Sequence, residues 1–221
     1  MKNIFRFERK FIIINKDISY LENLLRSSKF KFKEDYPLRK VNSIYFDNSN
    51  LKSVAENIDG NNFKKKIRLR WYGEKKLIKS PILELKNKIG HVNYKKTFKI
   101  ENFKPVTFKH NKINQILKEL LIKNNFLKKK IPISSTHYKR LYFSSLAKNI
   151  RATIDFDINY FNLQKHSNYN LNKYSKSMVL EIKYSNDRDD YVRAILRNIT
   201  LRLNKNSKYV NSLAEYPFKI L

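Results

Sequence analysis

The sequence predicts an α+β domain, mainly β: an eight-stranded antiparallel barrel with amphipathic helices packed on its outside and a C-terminal helix. Three observations predict it. Eight stretches alternate apolar and polar residues with a period of two, as half-buried strands do. Helical patterns separate only some of these stretches, which argues against a parallel doubly wound sheet with a helix after every strand. The 221 residues, 41% hydrophobic and 14% aromatic, suffice for a single core, so a disordered basic tail is excluded.

The first strand is expected over residues 4–14, with Arg6, Glu8 and Lys10 on one face. Asp17 is placed to cap a helix carrying Ile18, Leu21, Leu24 and Leu25 on one side. The second strand covers residues 40–47, after which Asn48 is placed to cap a short helix through Leu51, Val54 and Ala55 that ends at Gly60. Residues 63–72, 81–88 and 92–100 follow as strands. Ile113, Ile116, Leu117, Leu120 and Leu121 form a helical stripe. Three more strands are expected at residues 134–145, 151–158 and 178–185, with residues 162–176 as a loop. A last helix starts near Asp187 and runs through Val192, Ile195, Leu196 and Ile199. No linker or repeat divides the chain, so one domain is expected over residues 1–221.

Charge carries the functional signal. Forty-eight Lys and Arg face 19 Asp and Glu, a net charge of +29, and a folded domain so basic calls for a polyanionic partner. The strands show where those charges go. In the 66–71 stretch Lys66, Arg68 and Arg70 share one face, and Ile67, Leu69 and Trp71 the other. Glu84 and Lys86 oppose Leu83 and Leu85, Tyr138 and Arg140 share a face, as do Arg151, Thr153 and Asp155, and Glu181 and Lys183 oppose Leu180 and Ile182. Taken one at a time, such a charged face is a solvated face. Repeated over several strands, with amphipathic helices available to cover the apolar faces, the pattern fits a barrel with charges inside. Unpaired buried cations are costly without water or a counter-anion. A tunnel of this kind suits triphosphate or polyphosphate, which arginine engages in charge-assisted, often bidentate hydrogen bonds. Duplex DNA would not fit inside.

With these motifs in order the chain resembles the polyphosphate-polymerase domain of the vacuolar transporter chaperone (VTC) type, a branch of the triphosphate tunnel metalloenzyme superfamily. The matching stretches are Arg6-x-Glu8-x-Lys10 and residues 41–47, 67–73, 83–86, 138–140, 150–155, 180–183 and 207–209. The resemblance implies an eight-stranded tunnel and transfer of the terminal phosphate of ATP onto polyphosphate, with Mn²⁺ or Mg²⁺ as cofactor. It implies that Arg68, Arg70, Lys86, Arg140 and Arg151 do the phosphate chemistry, with Lys10, Lys95, Tyr138, Lys183, Ser207, Lys208 and Arg6 in substrate binding. Glu181 matches the metal-binding carboxylate, and Glu8 and Glu84 are additional candidates. Arg6 stands where the superfamily's phosphatases and cyclases have a first glutamate, which favours synthesis over hydrolysis. Lys88 replaces a histidine often found in eukaryotic relatives.

Two other readings stay open: a tunnel hydrolase cleaving triphosphate or nucleoside triphosphates, and a non-catalytic binder of polyphosphate, inositol phosphates or RNA. Asp47 and Asp155 read as strand-end or salt-bridge residues, and Trp71, Tyr72 and Phe98 as packing. His91, His110, His137 and His166 have no ligand spacing. Cysteine is absent, which excludes disulfides and thiolate metal sites. With no apolar run of membrane-spanning length and no signal-peptide pattern, a cytoplasmic protein is expected. The resemblance implies work at the inner face of a membrane beside a separately encoded membrane protein, because the relatives deliver their product across a membrane. No sequence-specific nucleic acid contact is expected.

Overall fold

The computed structural model describes residues 6–89, 92–123, 125–145, 149–164, 172–197 and 201–213. The described strands and helices run in the order β1 (Arg6–Ile13), α1 (Ile18–Ser27), β2 (Phe32–Asp47), α2 (Lys52–Ile58), β3 (Phe63–Tyr72), β4 (Leu77–Ile78), β5 (Ile82–Ile89), β6 (Val92–Lys99), β7 (Val106–Thr107), α3 (His110–Lys123), β8 (Ile131–Ser145), β9 (Arg151–Asn162), β10 (Asn172–Ser175), β11 (Met178–Ser185), α4 (Asp189–Leu196) and α5 (Lys208–Asn211). Nine of the described strands form one antiparallel sheet, eight of them in the order β1-β11-β9-β8-β2-β3-β5-β6, with β10 attached to β9. These eight are the strands read from the sequence. The short pair β4-β7 stands apart.

Contacts divide the chain into two compact units interleaved in sequence. The first holds Met1–Arg39, Tyr138–Ile158 and Tyr174–Asn206; the second holds Lys40–His137, Asn159–Lys173 and Ser207–Leu221. In each unit amphipathic helices cover the apolar face of the strands. In the first, Leu21 and Leu25 of α1 and Val192 and Ile195 of α4 pack against Phe11, Ile154, Leu180 and Ile182. In the second, Ile113, Ile116 and Leu120 of α3 pack against Ile44, Ile67, Leu69, Trp71, Leu83 and Leu85. The period of two in the strands and of 3.6 in the helices thus meet in the way the sequence predicts.

Four local expectations are corrected. The helix α2 is not capped by Asn48. The buried carboxylate of Asp47 takes its first amides, accepting from the N–H of Ser53 at 3.0 Å and of Val54 at 3.3 Å. The same carboxylate accepts from the hydroxyl of Tyr209 at 2.7 Å and lies 3.5 Å from the ammonium of Lys130, so its role is structural, as expected for a strand-end aspartate. β2 begins at Phe32 rather than residue 40, because residues 33–38 are exposed on both faces and show no alternation to read. Part of the expected 162–176 loop is β10; residues 165–171 lie outside the described residues. The last helix starts at Asp189 after a single 3₁₀ turn, Asn186–Arg188; Ile199, expected in it, lies outside the described residues.

Candidate functional site

In the second unit the strand register sets the charged face. Residues directly opposite one another in antiparallel strands share a face. Lys66 of β3 lies opposite Lys86 of β5, which lies opposite Lys95 of β6; Arg68 lies opposite Tyr45 on one side and Glu84 on the other; Arg70 lies opposite Ser43 and Ile82. Lys66, Arg68, Arg70, Lys86 and Lys95 therefore share one surface with Glu84, the one carboxylate in β3, β5 and β6, while Ile67, Leu69 and Trp71 turn to the core. Lys95, not Lys96, is the lysine on this face, as the sequence suggests.

Glu84 organises these cations. Its carboxylate, on a residue only 2% exposed, accepts from Arg68 Nε at 2.7 Å, contacts the Arg70 guanidinium and lies 2.8 Å from Lys95 Nζ. Burial pushes its carboxyl up, but Arg68, Arg70 and Lys95 outweigh that and hold it down at about 2. Burial lowers the Lys95 ammonium, which Glu84 partly offsets. The Arg70 guanidinium also lies 5.3 Å from the centre of the Tyr72 ring, so Tyr72, expected as packing, belongs to the charged face. Trp71 and Phe98 do pack in the core. Glu84 was expected beside a metal; its surroundings are those of a counter-ion to three cations.

Ser207 and Lys208 come to the same unit from the end of the chain. Ser207 caps α5, its Oγ accepting from the Val210 N–H at 3.4 Å and from Lys66 Nζ at 3.0 Å. Lys208 opens that helix. Lys66 is the residue that the expected set omitted, although its two-residue spacing from Arg68 already puts it on their face. His137 is a core residue. Its ring nitrogens lie 2.8 Å from Asn42 Oδ1 and 3.2 Å from Ser135 Oγ, and burial together with the nearby Lys75 lowers its pKa to about 3. His91 and His166, and the side chains of His110 and Lys88, lie outside the described residues.

The first unit carries a different mixture. Glu8 lies opposite Lys183, which lies opposite Arg151; Lys10 lies opposite Glu181, which lies opposite Thr153. Lys183 Nζ is 3.1 Å from Glu181 and 4.0 Å from Glu8. Lys10 Nζ is 3.7 Å from Glu8 and donates to the Asn206 carbonyl at 3.3 Å. Arg140 is held by Asp155 in a bidentate pair, Nε to Oδ1 at 2.5 Å and Nη2 to Oδ2 at 2.8 Å, with its guanidinium 5.3 Å from the centre of the Tyr138 ring. Burial disfavours the charge on Arg140, but Asp155 more than compensates and raises its pKa. Asp155 therefore has the expected salt-bridge role. The side chain of Arg6 lies outside the described residues.

The two faces differ in balance. In the second unit at least five cations of β3, β5 and β6 face Glu84, the one carboxylate in these three strands, a surface that favours a polyanion. In the first, Glu8 and Glu181 lie beside a shared lysine, and carboxylates nearly match cations. Among the described residues no group of three or more His, Cys, Asp or Glu is placed to hold a metal. Two carboxylates still suit Mg²⁺ or Mn²⁺, which commonly takes one or two carboxylates and fills its shell with water and substrate phosphate. Glu8 and Glu181 thus fit a metal shared with a phosphate ligand.

The family model of the VTC domain matches residues 5–216. The chain belongs to the VTC domain family. No curated protein matches this VTC domain. Among solved structures it is similar to an adenylate cyclase candidate from Bacillus halodurans, with 12% identity and a TM-score of 0.56 over 96% of this chain and 99% of that one. An adenylate cyclase candidate from Vibrio parahaemolyticus gives 12% identity and a TM-score of 0.55, over 96% and 99%. A Hippeastrum adenylyl cyclase candidate with a dominant triphosphatase activity gives 11% and 0.52, over 93% and 95%. At these identities the likeness is one of fold. The family and the fold together place the VTC domain in the triphosphate tunnel superfamily, as the resemblance implies. No helix among the described residues is long and apolar enough to cross a membrane.

Proposed function

We propose that this VTC domain is a metal-dependent polyphosphate polymerase that transfers the terminal phosphate of ATP onto a growing polyphosphate chain. The observation that carries this reading is the shared face of Lys66, Arg68, Arg70, Lys86 and Lys95 around the carboxylate of Glu84, in a chain of the VTC family. Arg6, in place of the first glutamate of the superfamily's phosphatases, supports synthesis over hydrolysis.

Phosphoryl transfer asks the protein mainly for alignment and charge neutralisation. Arg68 and Arg70 are already oriented by Glu84, so they bind phosphate oxygens with little further ordering. Lys66, Lys86 and Lys95 supply replaceable point charges that a polymer can slide past. Arg140 is fixed by Asp155, and Arg151, Lys10 and Lys183 add cations to the second set, with Tyr138, Ser207 and Lys208 as further phosphate contacts. Glu8 and Glu181 would hold the divalent ion, which when bound neutralises charge on the phosphate oxygens. The nucleophile is a terminal oxygen of the acceptor chain, so no side chain needs to act as a base.

Incubation with ATP and Mn²⁺ tests the proposal. Long polyphosphate on a gel is the expected product; free phosphate alone would replace the polymerase with a hydrolase. Changing Arg68 and Arg70 together to Ala should abolish turnover, whereas tight polyanion binding with no ATP turnover under any divalent metal would make the domain a binder. The proposal extends to a cytoplasmic site beside a separately encoded membrane protein. Polymer sequestration that is unchanged in membrane-free preparations would remove that extension.

A further inference from the structure

A second basic site lies in the second unit, on the other face of β3. The two-residue period that puts Lys66, Arg68 and Arg70 on the charged face puts Phe63 and Lys65 on the face of Ile67 and Leu69. There Lys65 borders a cavity of about 300 Å³ also lined by Lys52, Lys128, Lys129 and Lys130, a size at the lower end for small-ligand pockets. Glu56 is the one carboxylate in the lining. Lys130 already faces Asp47 at 3.5 Å, but that carboxylate is also occupied by Tyr209 and by the amides of α2. Lys65 forms no ion pair with any described residue. Its ammonium lies 5.8 Å from the centre of the Phe126 ring, and burial, with repulsion from Lys130 that Glu56 only partly offsets, makes its protonated form less favourable than usual. Phe63, 49% exposed, lines the same cavity with an open aromatic surface.

We propose that this cavity is a separate binding site for a short oligophosphate chain, held by Lys65, Lys128 and Lys129 outside the charged strand face. Five lysines around a small concave space, only one of them ion-paired among the described residues, are stabilised by an anion that can accept several charge-assisted hydrogen bonds at once. The volume excludes a nucleic acid duplex. It admits either inorganic tripolyphosphate or the phosphates of a nucleotide, whose base Phe63 could meet. The inference does not rest on the polymerase reading, since it concerns residues that have no part in it.

The test is lysine acylation of the intact protein at pH 7.5, followed residue by residue by mass spectrometry. Tripolyphosphate should slow the modification of Lys65, Lys128 and Lys129 at least fivefold, and Lys65→Gln should weaken the protection of the other two. Equal protection by ATP assigns the site to the phosphate chain itself. Stronger protection by ATP that Phe63→Ala removes assigns it to a nucleotide; both results uphold the site. Unchanged rates at Lys65 and Lys129 under concentrations that protect Lys86 and Lys95 would overturn it. So would equal protection by sodium chloride at matched ionic strength. Polymer synthesis is a separate readout, so either proposal can fail alone.

Discussion

Glu84→Gln keeps the shape of the side chain and removes the charge that Arg68, Arg70 and Lys95 share. Holding the carboxyl at about 2 rather than 4.5 corresponds to about 3 kcal/mol of folding stability, at roughly 1.4 kcal/mol for each tenfold change in proton affinity. Because the carboxyl is depressed in the folded protein, this stabilisation is complete above about pH 4.5 and is lost as the pH falls through about 2. At pH 7 the variant should therefore unfold at lower urea, with a deficit of about 3 kcal/mol and a Tm lower by roughly 6–12 °C for a chain of this size. The deficit should shrink as the pH is lowered toward 2. Tripolyphosphate should then stabilise Glu84→Gln more than the wild type, because the ligand restores negative charge where the variant lacks it. A deficit below about 1 kcal/mol at pH 7 would refute the view that Glu84 holds this face together. Equal ligand-induced rises in Tm for the two proteins would refute the placing of phosphate against Arg68 and Arg70.

Other tests address the rest of the chain. Arg140→Ala leaves the buried Asp155 carboxylate without its partner and should cost about 3–5 kcal/mol in urea unfolding; a loss below 1 kcal/mol would show that the pair contributes little. Tyr209→Phe removes one hydrogen bond to Asp47 and should cost roughly 1–3 kcal/mol while leaving the affinity for tripolyphosphate within twofold of wild type. His137, lowered to about 3 by burial and Lys75, should show no titration between pH 5 and 8 in its ring NMR signals. Its contribution to stability is complete above about pH 6.5 and falls as the pH drops from there toward 3. We propose that the two interleaved units form the single expected domain, so calorimetry should give one transition; two resolved transitions would separate them.

The sequence exposed the fold wherever a strand has one buried and one charged face. β3 is the clearest case: both its ends and the direction of each side chain follow from the 63–72 alternation. The same logic located the helices, because Leu21 and Leu25 or Ile113 and Ile116 repeat at helical spacing. It failed for the first half of β2, whose residues 33–38 are wet on both faces and leave no pattern. It also failed for the cap of α2. Asn48 and Asp47 are equally plausible by type, and only the approach of Tyr209 from 162 residues away shows that it is the Asp47 side chain that is buried. For the candidate site, the sequence supplied the cations and their shared face. It could not show that Glu84 neutralises three of them, because that depends on the register of β3, β5 and β6. Nor could it show that Lys66 meets Ser207, a contact across 141 residues.

The pairing of β1 with β11 has a consequence for how the chain is made. Ile13, which ends the first strand, pairs with Met178, which begins the last, and Arg6 pairs with Ser185. A ribosome adding roughly 5–20 residues per second needs on the order of 10–30 s to deliver the partner of β1. During that interval the apolar face of β1 and the edge that will pair with β11 are without their partner strand. Residues 40–137, which supply most of the second unit, emerge meanwhile and can begin to order. The interval between the synthesis of β1 and that of β11 is therefore when this chain most needs protection from aggregation, and the charges of Arg9 and Lys10 stand on the waiting strand.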